Sequence, residues 1–339
     1  MKENIRLVQL SHPTEGRKIA LVEEPDLRLL ISPVSIYDLA LEAIHSSTGI
    51  DLLIKKYLSD NRLNYSSVYD GASDWSLLPS FDCPQNPFAC LVSGTGLTHK
   101  NSALNRQMMH TGAESALTDS MKMYQWGLEG GRPPSGSIGT QPEWFYKGTG
   151  HFLKAHRSPL VVPSFGNDGG EEPEIAVAYV TGKSGQVYRV GFTTGNEFSD
   201  HVMEKKNYLY LAPSKLRNCA IGPELVIDAS FDNVEGTVSV VRGGKTLWSA
   251  SVHTGEQHMA HSLENLEYHH LKYPHHREPL QAHVHFLGAD AFSFGAGLQL
   301  QDGDEMMVHW EGFGRALINP ISISAKTEEL IEIKSISTP

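Results

Sequence analysis

Two glutamates two residues apart, Glu172 and Glu174, open the apolar run IAVAYV. Alternate side chains on a strand share a face, so the order Glu-Pro-Glu aims both carboxylates the same way. Two hard oxygen donors on one face make half a site for Mg²⁺ or Mn²⁺. A third carboxylate would complete it, and the segment Gly195-Asn196-Glu197-Phe198-Ser199-Asp200 offers two, Glu197 and Asp200. Lys215 follows in Tyr210-Leu211-Ala212-Pro213-Ser214-Lys215. An ammonium near such a centre neutralises and polarises an oxyanion. The bland alternative is a solvated acidic loop followed by an ordinary surface lysine.

Three further groups have the right chemistry. The loop Gly94-Thr95-Gly96-Leu97-Thr98-His99-Lys100 follows an apolar strand. Its glycines let backbone approach a ligand, and His99 could act there as acid or base. His110 and Glu114 are four apart, which on a helix gives a shared face and a histidine–carboxylate dyad, or an exposed pair. Histidine itself is abundant: of 17, nine lie between His253 and His285, and they include His269-His270, His275-His276 and His283-x-His285. Two imidazoles on one strand face could hold zinc or iron. Their polar, proline-flanked surroundings favour a solvated loop or a subunit contact instead.

The elements that must position these groups can be read from pattern. IRLVQL and KIALVEE flank Pro13-Thr14-Glu15-Gly16, a hairpin signal. Ser35 with Asp38 resembles a capping box, and Ile36, Leu39, Ala40, Ala43 and Ile44 recur at helical spacing, so a helix is expected there. A second is expected over Ile50–Leu58. Pro79, Pro84 and Pro87 read as a linker, with a domain boundary near residue 90 that separates a small N-terminal domain, 1–90, from a catalytic domain, 91–339. Residues 99–130 read as helix with breaks. From 160 onward the chain reads as strands, from LVVPSF through EIAVAYVTG and QVYRVGFTTG to INPISIS, with Leu263–Lys272 a polar helix or loop.

Composition narrows the classes. The chain has 339 residues, 40% hydrophobic and 20% charged, which fits an ordered globular protein. Its 28 basic and 39 acidic residues give a formal charge of −11, and no basic run exceeds two residues. A nucleic-acid partner would need a basic patch to displace phosphate counterions, so none is expected. No apolar stretch approaches the ~20 residues of a membrane span, and MKENIRLVQLSH lacks the apolar core of a signal peptide. Three cysteines, Cys83, Cys90 and Cys219, argue against a disulfide framework and for a reducing cytoplasm.

Several motifs fall in a recognisable order. Pro142-Glu143-Trp144-Phe145-Tyr146-Lys147-Gly148 precedes Glu172-x-Glu174-Ile175-Ala176. Gly195-Asn196-Glu197, Lys215 and Ile221-Gly222-Pro223 come next, then Leu300-x-x-Gly303-Asp304, Glu311-Gly312-Phe313-Gly314 and Asn319-Pro320. Over roughly residues 90–325 this resembles the fumarylacetoacetate hydrolase superfamily. The stretch from Leu209 through Lys215 to Gly222-Pro223 is similar to its 2-keto-3-deoxy sugar-acid dehydratases, and the whole chain to a bacterial branch tied by name to pentose-acid breakdown.

The resemblance implies an α+β, strand-rich fold: a mixed β-roll catalytic domain, a small N-terminal α/β domain and a homodimer. It implies Mg²⁺, with Mn²⁺ as substitute, held by Glu172, Glu174 and Glu197, where the family usually has Asp after Asn. Lys215 matches the lysine that faces the metal. Gly96, Thr98, Lys100 and Gly295 would contact the substrate, although Thr98-His99 stands where the family usually has Tyr. Acid–base work falls to His99, His110 or Glu114. The activity implied is dehydration of a 2-keto-3-deoxypentonate to 2-oxoglutarate semialdehyde through a metal-stabilised enolate. The alternative is hydrolysis of the C–C bond of a 2,4-diketo acid. A non-catalytic sugar-acid binding protein and a histidine-ligated metalloenzyme are the rivals from other classes.

Overall fold

The computed structural model describes residues 4–110 and 117–336, with side chains omitted for 108–110. Among these residues the strands form two sheets, of twelve and five strands. The large sheet runs, edge to edge, through Leu58–Asn64, Asp26–Leu30, Gly16–Glu23, Ile5–His12, Cys219–Ile227, Val187–Asn196, Pro173–Thr181, Ala282–Phe286, Cys90–Gly96 and Glu143–Thr149. The short strands Ser76–Leu77 and Leu153–Lys154 pair beside Ile5–His12 and Cys219–Ile227. The small sheet is Lys245–Thr254, Val234–Arg242, Glu305–Trp310, Leu317–Ile323 and Leu160–Val162. This is the mixed, strand-rich α+β class that the resemblance implies.

Two central strands explain why the sheet is so apolar. Pro173–Thr181 and Cys219–Ile227 are buried at every position. A strand covered on both faces has no reason to alternate polar and apolar residues. Its two faces still separate by parity. Ala176, Ala178 and Val180 pack with Leu39, Leu53 and Ile54 of the helices Ile36–Ser46 and Ile50–Tyr57. Ile175, Val177 and Tyr179 pack instead with Val238, Val252, Val308 and Trp310 of the small sheet. Each face thus buries its own core, one roofed by helices and the other by the small sheet together with Leu263 and Leu266 of the helix Leu263–Leu271.

The expected local signals are present. Ser35 caps the first helix, accepting from the Asp38 N–H at 3.1 Å. The hairpin closes with His12 opposite Gly16, where φ is +72°, a left-handed turn that favours glycine. Strand Ile5–His12 then pairs with Cys219–Ile227, so the N-terminal strands continue the sheet that carries the rest of the chain. Buried Glu224 fastens this junction, accepting from Tyr65 Oη at 2.8 Å, Arg6 at 3.1 Å and the Arg315 N–H at 3.1 Å. The three cysteines are buried and unbridged. No helix of the described residues is long and apolar enough to cross a membrane.

Candidate active site

Antiparallel pairing assembles the acidic cluster. Pro173 lies opposite Asn196 and Glu174 opposite Gly195, so Glu197 leaves its strand beside the residue that enters the next one, and its N–H donates to the Glu172 carbonyl at 2.9 Å. Carboxylate oxygens of Glu172, Glu174 and Glu197 come within 4.8 Å of one another, all three side chains buried. The structure groups Glu197 with the pair. Asp200 has other work: it caps the helix His201–Lys206 through the Met203 N–H at 2.8 Å, and its other oxygen accepts from Arg217 and the Asn167 N–H, each at 2.8 Å.

Two buried lysines meet the cluster. Lys215 Nζ donates to Glu172 at 2.6 Å, Glu197 at 2.7 Å and Ser199 Oγ at 2.9 Å, with Glu204 at 3.4 Å and the Phe145 ring 4.7 Å away. Lys147 Nζ reaches Glu197 at 2.5 Å and the Phe198 carbonyl at 2.7 Å. The solvated-loop and surface-lysine readings therefore fail. Two ammonium groups against three carboxylates leave one net negative charge in a dry pocket. Its effect is visible on Glu174. Burial, and the nearby charges of Glu197 and Glu172, push its carboxyl well above the usual range. Burial also raises Glu197, to about 7 against the pull of Lys147 and Lys215. Glu172 goes the other way: burial opposes it, but Lys215 and His201 hold it well below the usual range. Two of the three carboxyls thus still lack the positive charge that would offset their burial. The donor set of three hard oxygens fits a divalent cation such as Mg²⁺ or Mn²⁺.

A second polar layer adjoins the lysine. Glu204 accepts from Ser214 Oγ at 2.8 Å and pairs with Arg106 at 3.0 Å. The other terminal nitrogen of Arg106 is 4.0 Å from Glu143 and has no hydrogen-bond partner among the described residues. Glu143 accepts from the Tyr208 hydroxyl through Oε2, while its buried Oε1 has no hydrogen-bond partner among the described residues. That oxygen lies against Gly96, its cross-strand neighbour, 1.9 Å from where a Cβ would stand. Any side chain at position 96 would expel it. On the far side, His201 Nε2 meets Glu172 at 3.1 Å and its ring stacks on Phe292 at 4.7 Å. Glu171 holds that aromatic segment, accepting from the Ser293 N–H at 2.6 Å and its Oγ at 2.9 Å.

The remaining sequence candidates divide. Thr98 is buried and its hydroxyl donates to the Leu287 carbonyl at 3.0 Å. Next to it, the Gly288 N–H donates to Glu174 at 2.6 Å, so the Thr98 loop buttresses the cluster. Thr98 then accepts from His99 Nδ1 at 2.9 Å, and Thr254 Oγ1 lies 3.1 Å from Nε2. Both imidazole nitrogens are occupied, and burial lowers this histidine to about 4. The expectation of an acid–base role for His99 is thus corrected: it is a neutral strut between the loop and the small sheet. Lys100 begins the helix Lys100–His110 with an exposed side chain. Gly295 is exposed and packs against Asn105 of the same helix, whose Nδ2 would lie 2.9 Å from an added Cβ. Glu114 and the His110 side chain lie outside the described residues.

The comparisons with known proteins bear on the whole chain. No family model matches it. A probable 2-keto-3-deoxyxylonate dehydratase from Haloferax volcanii is 28% identical over 148 residues. That stretch makes up 42% of this chain and 47% of the other, so it spans about half the length of the curated relative. A hexagonal crystal form of 2-keto-3-deoxyarabinonate dehydratase superposes with a TM-score of 0.70 at 20% identity, covering 95% of this chain and 100% of that one. The 2-keto-3-deoxy-D-arabinonate dehydratase complexed with magnesium and 2,5-dioxopentanoate gives 0.69 at 19% identity, with the same coverage. A 2-hydroxyhepta-2,4-diene-1,7-dioate isomerase from Mycobacterium marinum, covered to 100%, gives 0.59 at 16% over 95% of this chain.

The chain has the fumarylacetoacetate hydrolase fold.

Within that fold the histidines are a separate feature. His283 and His285 alternate with Ala282, Val284 and Phe286 of the core, so they point to the sheet face opposite Glu174. There the helix Leu263–Leu271 sets His270 Nε2 3.0 Å from His283 Nδ1 and stacks its ring on His285 at 4.2 Å. Trp144 Nε1 can only donate, and it lies 3.2 Å from His270 Nδ1. This fixes His270, and in turn His283, as the Nε2–H form. The solvated-loop expectation is corrected for these three, which are buried. Nor do they converge as a metal centre: among the described residues, Glu172, Glu174 and Glu197 are the one such group.

Burial pushes His283 and His285 down to about 3. Their folded values lie below the unfolded ~6.5, so their contribution to stability is full above about pH 6.5 and falls as pH drops toward 3. Between pH 7 and 5 the two together are expected to remove about 2–4 kcal/mol. Urea unfolding at both pH values checks this, and the His283→Gln/His285→Gln variant should lose about 2–4 kcal/mol of the difference, the rest staying with buried His99, His156, His261 and His270. A parent chain equally stable at pH 7 and 5 would refute it.

Proposed function

We propose that this chain is a Mg²⁺-dependent dehydratase of 2-keto-3-deoxy sugar acids, acting on a 2-keto-3-deoxypentonate to give 2-oxoglutarate semialdehyde. One observation carries the reading: three buried carboxylates come together, two of them on a buried lysine, in a fold shared with a dehydratase complexed with magnesium and 2,5-dioxopentanoate. Glu172, Glu174 and Glu197 would hold the cation. When bound, it supplies Lewis acidity at the carboxylate and keto oxygens of the substrate.

The chain's own groups do the rest. Lys215 places an ammonium beside the developing enolate oxygen and lowers the cost of its charge. Glu143 Oε1, buried and unpartnered, takes the C3 proton. The C3–H electrons form the enolate, which then expels the C4 hydroxyl. Glu143 returns its proton to that hydroxyl, which leaves as water, so the carboxyl ends as it began. The 5-hydroxy-2-oxopent-3-enoate so formed tautomerises: C5 loses a proton and C3 gains one, then the C4–C5 enol loses its hydroxyl proton and C4 gains one, which leaves the C5 aldehyde. Burial raises Glu143, which suits a carboxyl that must both accept and give a proton. Arg106, charged and paired with Glu204, offers its free nitrogen to a substrate hydroxyl.

The test is mass analysis of reactions with 2-keto-3-deoxypentonates, with Mg²⁺ and with chelator. Loss of one water only when metal is present is expected. Release of pyruvate from a 2,4-diketo acid, with no dehydration, would replace this reading by a C–C hydrolase. Binding of sugar acid without turnover in either assay would replace it by a binding protein.

A further inference from the structure

We propose that Tyr208 is a positioning residue for Glu143: its hydroxyl pins Oε2, so that Oε1 alone is left to exchange a proton with the substrate. The proposal rests on the acid–base role given to Glu143 above. Tyr208 opens the short helical turn Tyr208–Tyr210, where Asn207 caps the start by accepting from the Leu209 N–H at 2.9 Å. Its ring lies 5.8 Å from the Arg106 guanidinium, and its hydroxyl donates to Glu143 Oε2. The carboxyl group thus has one anchored oxygen and one free one. Without the anchor, a glutamate carboxyl can turn about its last bond, and Oε2 could face the pocket as readily as Oε1. Gly96 keeps the space for the free oxygen, Tyr208 holds the other, and together they select one orientation.

The same bond tunes the carboxyl. Glu143 faces Arg106 from the helix Lys100–His110, Glu204 from His201–Lys206, Tyr208 from its turn, and Lys215 from Leu211–Lys215. Burial and Glu204 raise it; Arg106, the Tyr208 hydroxyl and Lys215 lower it. The phenol is itself pushed above its ordinary value by burial and by Glu143, so it keeps its proton and acts as a donor. A donor to the carboxylate favours the charged form, so removing it must raise Glu143.

Tyr208→Phe keeps the ring over Arg106 and removes only the hydroxyl. Its kcat is expected to fall about 10–100-fold with KM changed less than about threefold. The pH–rate limb set by Glu143 should move up by about one unit. The same shift should appear in the metal-free protein, as an infrared titration of the protonated-carboxyl band that Glu143→Gln abolishes. Replacing Tyr208 by a fluorinated tyrosine, a stronger donor, should move the limb and the band the opposite way. A titration that stays put in both variants overturns the proposal, even if turnover falls. The infrared experiment needs neither metal nor substrate, so it stands whether or not dehydration is the reaction. A band that shifts as expected in a protein that dehydrates nothing would keep the Tyr208–Glu143 coupling and discard the sugar-acid assignment.

Discussion

Glu174→Ala is expected to abolish Mg²⁺-dependent turnover, a loss of about 10³-fold or more, because a Lewis acid at the substrate oxygens supplies several kcal/mol of the barrier reduction. Calorimetry with Mg²⁺, or electron paramagnetic resonance with Mn²⁺, should show the site lost. Glu174→Gln separates ligand from scaffold. It keeps an oxygen to accept the Gly288 N–H bond and removes the charge that burial and the two neighbouring carboxylates oppose. The glutamine variant should therefore bind metal poorly yet melt, in chelator, no lower than the parent. His283→Ala provides the contrast: its imidazole lies on the other sheet face, so most turnover should survive. Full metal-dependent activity in either Glu174 variant would sink the site assignment.

Lys215→Met should part binding from turnover. The ammonium sits among Glu172, Glu197 and Glu204, in the space the carboxylates enclose. Removing it leaves buried negative charge, and breaking a buried ion pair costs about 3–5 kcal/mol. In chelator the variant should lose stability on that order, seen in the urea midpoint. Added Mg²⁺ should recover part of it by linkage, since a cation that binds only the folded chain stabilises it. Mg²⁺ affinity should rise, because a competing positive charge is gone. Turnover should still fall about 10²–10³-fold, because the stabiliser at the enolate oxygen is gone. Lys215→Arg should not restore it, since a planar guanidinium does not fit a pocket shaped for a point charge. Weaker Mg²⁺ binding in Lys215→Met would show that the lysine organises the carboxylates and does not compete with the ion.

The acidic cluster was legible because its geometry is local. Glu172 and Glu174 obey a period of two, and Glu197 lies at the end of the very next strand. The other half of the pocket was not. Glu143, Phe145 and Lys147 lie two apart on Glu143–Thr149 and are all buried, a signal present in the quoted motif but masked by the apolar Trp144 and Tyr146 between them. Arg106, Glu204 and Tyr208 come from separate helices and turns, and no periodicity reports that they meet. His99 misled for a complementary reason. A histidine beside glycines suggests catalysis, but two threonines, one of them Thr254 in the other sheet, occupy both its nitrogens. The histidine-rich stretch looked solvated because its flanking residues are polar. Only the packing of Leu263–Leu271 over the sheet reveals which imidazoles are dry.

The pairing of Ile5–His12 with Cys219–Ile227 sets a timetable for synthesis. Strand Gly16–Glu23 covers one edge of Ile5–His12 at once, but the partner for the start of its other edge lies more than two hundred residues downstream. At about 5–20 residues per second, the N-terminal hairpin waits roughly ten to forty seconds with one edge unpaired. Contacts this distant in sequence also slow folding, because the loop must close before they form. During that interval the exposed edge is open to other strands, including those of neighbouring nascent chains. Yield in the cell should depend on elongation rate and on holding chaperones well before it depends on the thermodynamic stability of the finished protein.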